Sequence, residues 1–219
     1  MDIQFEELLQ HLRQDAEQAI WEIGYMKALI DEPIVGTKLE GSLSGYALAT
    51  ANAAVKRSLA LYCARAWDHD RDAVSLLNAA RMLPSLEDLR ESRLTWYPDT
   101  SYDIHLTSLP MQRDEILLKI ASASEDARHP ALRIFRSEWL AHRVPSSRDR
   151  EKHVKRSAVV DITLGQLLER AILTVNLVGE IGFVADGLVN PYPENIEMAH
   201  RYSKEFWNVL PIFRDAEQI

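Results

Sequence analysis

The 219-residue chain is predicted to be all-α, a bundle of about seven or eight helices forming one domain over residues 1–219. Three observations predict it. Apolar residues recur at three- and four-residue intervals through most of the chain, the spacing of one helix face. No segment shows the alternation expected of a half-buried strand. Breaks carrying proline and glycine separate the periodic stretches, with no internal repeat or low-complexity tract between them.

The elements follow in order. "FEELLQHLRQDAEQAIWEIGYMKALI" places Phe5, Leu8, Leu9, Leu12, Ala16, Ala19, Ile20, Ile23 and Met26 on one stripe. "DEPIVGTKLEGSLSG" breaks the period with Pro33, Gly36, Gly41 and Gly45 and reads as a loop. Tyr46 to Trp67 is alanine-rich and reads as a long buried helix whose small side chains let neighbours approach. "DHDRD" ends it as a solvated turn, with Asp72 as a candidate cap for the next helix. "AVSLLNAARML" and "SLEDLRESRL" are two short helices, the second capped by Ser85. Residues 95–109 lack helical period and read as an exposed loop. "PMQRDEILLKIASAS" restores the helix, with Pro110 near its first turn. "HPALRIFRSEWLAHR" follows, and "PSSRDREKHVKRS" is a polar, basic linker. A long apolar helix begins near Thr163, and "PENIEMAHRYSKEFWNVL" is a final amphipathic one.

Composition narrows the function. Hydrophobic content of 47% with 26% charged residues describes a soluble globular protein. No apolar run approaches the roughly 18 residues of a membrane helix, so no membrane partner is expected. The acids in "MDIQFEELLQHL" argue against a signal or transit peptide. Cys63 is the single cysteine, which fits a reducing cytoplasm and a small core residue better than a nucleophile.

Several chemistries lack their motifs. There is no GxxxxGK followed by Ser or Thr, no GxGxxG, no GxSxG and no HExxH. One metal candidate has helical spacing, Glu197-x-x-His200, but a di-iron bundle needs a second such pair and two further glutamates. Neither a metal nor another cofactor is therefore expected.

Charge is unevenly placed. The net charge is −8, yet residues 128–156 hold nine Lys/Arg against Glu138, Asp149 and Glu151. That island of +6 leaves −14 on the remaining chain, an asymmetry a phosphate-bearing ligand can exploit. Inside it, "FRSEWLAHR" places Arg136 six positions before His142. Arg-x(4–6)-His occurs twice, as Arg136–His142 and Arg148–His153, and about 1.7 matches are expected by chance. Spacing alone therefore fits a solvated helix face as well as a site. Leu132, Phe135, Trp139 and Leu140 form an apolar stripe that anchors the first match, whereas the second lies in the polar linker.

The pair suits one reaction in particular. An imidazole with a pKa of about 6.5 gives or takes a proton near neutrality. A guanidinium holds a phosphate oxygen by two parallel hydrogen bonds. RNA brings its own nucleophile, the 2′-hydroxyl, so neither metal nor protein nucleophile is needed. Six residues advance about 9 Å along a helix and end about 120° round, so Arg136 and His142 do not stack. A long arginine or a two-fold dimer pairing two copies of the segment would bring the groups together.

At these residues the chain resembles the HEPN superfamily of helical proteins found in toxin–antitoxin and abortive-infection systems. "FRSEWLAHR" looks like its Arg-x(4–6)-His segment. "ALYCARAWDHDRDAVSLLNAARML" (60–83), "LGQLLERAILTVNLVG" and "KEFWNVL" are similar to an abortive-infection branch of that superfamily. The resemblance implies a metal-independent endoribonuclease acting as a homodimer, with RNA and a possible cognate antitoxin protein as partners. Arg136 would clamp the scissile phosphate, His142 would move protons and Ser137 would orient one of them. Arg133, Arg143, Arg148, Arg150 and Lys152 would guide the RNA. Ser137 departs from the family's commoner Asn, Asp or His after the arginine. The other reading the superfamily offers is a non-catalytic helical scaffold, or a nucleotide- or RNA-binding protein.

Overall fold

A computed structural model describes residues 3–31, 43–96, 103–126, 128–129, 132 and 162–209. These residues form seven helices and no strand. The helices are α1 (Ile3–Asp31), α2 (Leu43–Ala66), α3 (Leu76–Met82), α4 (Leu86–Trp96), α5 (Asp103–Ser124), α6 (Leu164–Asp186) and α7 (Tyr192–Val209). The predicted all-α class is the observed one.

α6 is the hub. It packs against each of the other six described helices, and its buried residues run from Leu167 to Ala185 around most of its circumference. Such a helix must be apolar nearly all round. Its start is fixed locally: Thr163 Oγ1 accepts from the Gln166 N–H (3.2 Å), and Gln166 Oε1 accepts from the Thr163 N–H (3.0 Å). This reciprocal box satisfies two of the helix's free donors. Its end is equally local. Gly187 takes φ 77°, where glycine alone is unstrained, and donates to the Phe183 carbonyl (2.9 Å).

α1 supplies the longest stripe. All nine apolar residues that its period singles out, Phe5 through Met26, are buried. It packs chiefly along α7, and the crossing is tight at Gly24. A Cβ there would lie 2.6 Å from the Ala199 backbone carbon and the His200 nitrogen. Beside the crossing, Lys27 Nζ forms an ion pair with Glu197 Oε1 (2.5 Å), and His200 Nε2 lies within hydrogen-bond distance of Asp31 Oδ2 (2.8 Å).

Four expectations need correction. α2 starts at Leu43, so Gly45 lies inside the helix. Its residues 43–58 include none that is buried, and Leu43 and Tyr46 are largely exposed; only Leu59–Ala66 enters the core. Alanine content sets helix propensity and does not report burial. Residues 103–109 are helical, which puts Pro110 inside α5. The proline removes one hydrogen bond, but buried Leu109, Ile116 and Ile120 tie the helix down on both sides of it. The side chain capping α3 is that of Ser75, which accepts from the Asn78 N–H (3.3 Å), and not that of Asp72. Asp72 is used one turn earlier, where its N–H donates to Asp70 Oδ1 (3.2 Å). Ser85 does cap α4, accepting from the Asp88 N–H (3.2 Å).

Candidate functional site

The residues assigned to the site from sequence are Arg136, Ser137 and His142 for catalysis, with Arg133, Arg143, Arg148, Arg150 and Lys152 for RNA contact. All eight lie outside the described residues, as do Phe135, Trp139, Leu140 and His153. Described instead is the platform from which that segment starts, up to Leu132.

The platform is built around a buried charge. Arg170 sits on the apolar face of α6 and is 1% exposed. Four neighbours make that position tenable. Its Nη2 donates to the Ala123 carbonyl (2.8 Å) at the C-terminal end of α5, where a cation is favoured by the helix dipole; that oxygen also accepts from the Asp126 N–H (3.3 Å) and lies 2.9 Å from His129 Nε2. Its Nη1 lies 3.5 Å from Asp126 Oδ2. Its guanidinium carbon stands 4.1 Å from the centre of the Trp67 ring, a cation–π contact that desolvation strengthens. Its Nη2 also meets Nε2 of His129. Burial lowers the Arg170 pKa to about 10, so it stays charged at neutrality.

The surrounding groups interlock. Trp67 directly follows α2 and donates from Nε1 to Thr174 Oγ1 (2.9 Å). The Thr174 hydroxyl in turn donates to the Arg170 carbonyl one turn back (2.7 Å). Asp126 accepts from Arg128 through Nη2 (2.6 Å), Nε (2.9 Å) and the backbone N–H (2.8 Å). Those hydrogen bonds, with the charge of Arg170 added, hold its carboxyl down at about 2. His129 is buried, 4.9 Å ring to ring from Trp67. Desolvation and the charge of Arg170 lower its pKa, so it is neutral at pH 7. Leu132, the first member of the predicted anchoring stripe, is buried in the main core at 3% exposure.

Sequence patterning does not single out Trp67, Asp126, His129 or Arg170. The available signal is Arg170 itself. It stands on the same face as Leu167, Ala171 and Thr174 in an otherwise apolar stretch, where an unpaired charge would cost several kcal/mol. Cys63 lies beside this cluster, and burial pushes its thiol up to about 12, which rules out a thiolate nucleophile at neutral pH.

A separate cleft of about 550 Å³ opens between α5, α6 and residues 189–194. Its charged lining is Glu115, Glu180 and Glu194 against Lys119, the wrong sign for a phosphate backbone. No group of three or more His, Cys, Asp or Glu suited to a metal occurs among the described residues.

A family model described as HEPN_AbiU2: AbiU2 matches residues 2–206, nearly the whole chain. The chain belongs to the AbiU2 family of HEPN proteins. It is accordingly an abortive-infection-type HEPN domain. The AbiU2 match spans every helix described above except the last residues of α7, and it takes in both arginine–histidine pairs. No curated protein and no solved structure matches the chain. No helix among its described residues is long and apolar enough to cross a membrane.

Proposed function

We propose that this AbiU2-family protein is a metal-independent endoribonuclease that cuts RNA by attack of the 2′-hydroxyl on the adjacent phosphate. Arg136 holds the scissile phosphate and stabilises its developing charge. His142 takes the 2′-hydroxyl proton and returns one to the 5′-oxygen, and Ser137 orients one of these transfers. Arg133, Arg143, Arg148, Arg150 and Lys152 follow the strand as phosphate contacts. The site is completed by a second copy across a two-fold axis, in the cytoplasm. The observation that carries this reading is the AbiU2 match over residues 2–206, which contains the Arg136–His142 pair. The buried positions of His129 and Leu132 support an anchored start for the segment that bears it.

The test is cleavage of total or transfer RNA in EDTA, by wild type beside Arg136→Ala, His142→Ala and Arg148→Ala. Loss of one transition-state donor typically costs roughly a hundred- to a thousandfold in rate, and that is the loss expected of Arg136→Ala. Arg148→Ala should weaken binding and reduce its salt dependence. Products should carry 2′,3′-cyclic phosphate and 5′-hydroxyl ends. The active species should sediment near twice 25.0 kDa. Products with 5′-phosphates, or activity only with divalent metal, refute the mechanism. No cleavage under any condition favours the non-catalytic scaffold or nucleotide- or RNA-binding reading, to which Ser137 also points.

A further inference from the structure

The cleft between α5, α6 and the start of α7 has a one-sided chemistry that the ribonuclease reading does not use. Its volume of about 550 Å³ falls within the roughly 300–1,000 Å³ of small-molecule sites. Ile116, Phe183, Val184 and Val189 give it apolar walls, and Tyr192 adds a ring whose hydroxyl is buried without a hydrogen-bond partner. Its polar lining is rich in acceptors. Three carboxylates, Glu115, Glu180 and Glu194, face one cation, Lys119. Two lining amides, Gln112 and Asn176, each bury a side-chain oxygen that has no hydrogen-bond donor. A buried acceptor without a donor costs about 1–3 kcal/mol, so an entering donor would relieve that cost.

Lys119 shows what the carboxylates are spaced to hold. Its ammonium lies 2.8 Å from Glu180 Oε2 and 3.0 Å from Glu115 Oε1, bridging α6 and α5. Hydrogen bonds to Glu180 and Glu115 raise its pKa. The protein's own ammonium thus occupies a two-carboxylate seat at the edge of an apolar cleft, and Glu194 lines the same cleft as a further acceptor.

We propose that this cleft binds a small organic cation, a primary ammonium group carried on an apolar body. The ammonium shares or takes over the Glu180 seat, and the body lies against Phe183, Val184 and Tyr192. Charge complementarity excludes nucleotides and other phosphates from the same cleft. The ammonium could sit on an aromatic amine or on a flexible polyamine, and the two are separable by experiment.

The experiment is calorimetric titration of the full chain with phenethylamine and, separately, spermidine, with magnesium chloride as a control for diffuse attraction to an acidic protein. Saturable binding of either amine is expected, and whichever binds more tightly identifies the body. Glu180→Gln should weaken it by about tenfold, the equivalent of one charge-assisted hydrogen bond. Lys119→Met should tighten it severalfold by vacating the seat. Lys56→Met, the same charge change on the exposed half of α2, should leave it unchanged. Glu194→Gln serves as a second weakening variant if Glu180→Gln does not fold. Equal binding of magnesium, equal responses to Lys119→Met and Lys56→Met, or wild-type affinity in the glutamine variants would overturn the proposal. No RNA is present, so the result stands or falls independently of the ribonuclease reading.

Discussion

Arg93 and Arg170 are both fully buried, and each donates to carbonyls near a helix C-terminus, yet their surroundings differ. Arg93, from α4, donates to the Phe183 (2.6 Å) and Val184 (3.2 Å) carbonyls of α6 and lies 5.3 Å from the Phe183 ring centre. The helix end it serves is also closed by Gly187. Arg170 reaches an α5 carbonyl together with an aspartate, a histidine and a tryptophan from three further places in the chain. The first arginine finishes a helix. The second joins α2, α5 and α6 to Asp126 and His129, which precede the arginine–histidine segment in sequence. Arg93 ties α4 to the end of α6, whereas Arg170 gathers an aspartate, a histidine and a tryptophan about one charge.

The largest effect that would break this comparison is on stability. Arg170→Met should cost about 3 kcal/mol, the low end for removing one member of a buried ion pair, because Arg128 still partners Asp126. Arg93→Met should cost less, about 1–2 kcal/mol, since the carbonyls it serves are neutral acceptors and that of Phe183 keeps the Gly187 N–H. Urea denaturation of both variants reads the difference. Equal losses would mean that the cluster around Arg170 adds nothing to a simple cap.

The next effect sharpens the contrast through pH. The folded-state pKa of Asp126 is depressed to about 2, so its contribution is complete above the unfolded value of about 3.9 and is lost as pH falls through about 2. His129 is also depressed. Protonation there favours the unfolded chain, and its share of stability begins to fall below about pH 6.5. In Arg170→Met the loss of stability between pH 4 and 2 should be shallower than in wild type, because one source of the Asp126 depression is gone. In Arg93→Met it should keep the wild-type slope. Thermal melts across that range make the comparison.

The smallest effects distinguish the two ends of α6 by its glycines. Gly187→Ala forces an L-residue into the left-handed region and should cost about 1–2 kcal/mol. Gly165 lies exposed in the first turn, where a Cβ would meet nothing closer than Thr163 Oγ1 at 4.0 Å. Gly165→Ala should therefore gain about 0.5–1 kcal/mol. Opposite signs in the two melting temperatures are the expected result.

How much of this was legible beforehand depended on whether a residue's role is local. The α1 stripe, the start of α6 near Thr163 and the Ser85 cap were readable because period and capping chemistry involve residues three or four apart. The α5 start was not, since among residues 106–109 only Leu109 is buried, too little to make a period. The α2 burial was misread because alanine suits an exposed helix and a crowded core alike. For the candidate site, the Arg136–His142 pair was visible as a spacing, while the supports around Arg170 were not. Trp67, Asp126 and His129 reach it across 103, 44 and 41 positions of sequence, and only folding brings them together.

The divided burial of α2 gives one continuous helix two timescales of amide exchange. Residues 59–66 lie in the core, so their N–H groups exchange only when the bundle opens around α6. Residues 43–58 hold no fully buried side chain and rest on partial packing of Leu48 and Val55 and on hydrogen bonds of Asn52 with the Tyr25 hydroxyl (2.8 Å) and Ser58 with Glu22 (2.7 Å). Their amides exchange through local fraying from Leu43 inward, at a rate set by helix propensity and those side-chain ties. Protection along a single helix then rises in a step near Leu59, and that step marks where the cooperative unit of the bundle begins.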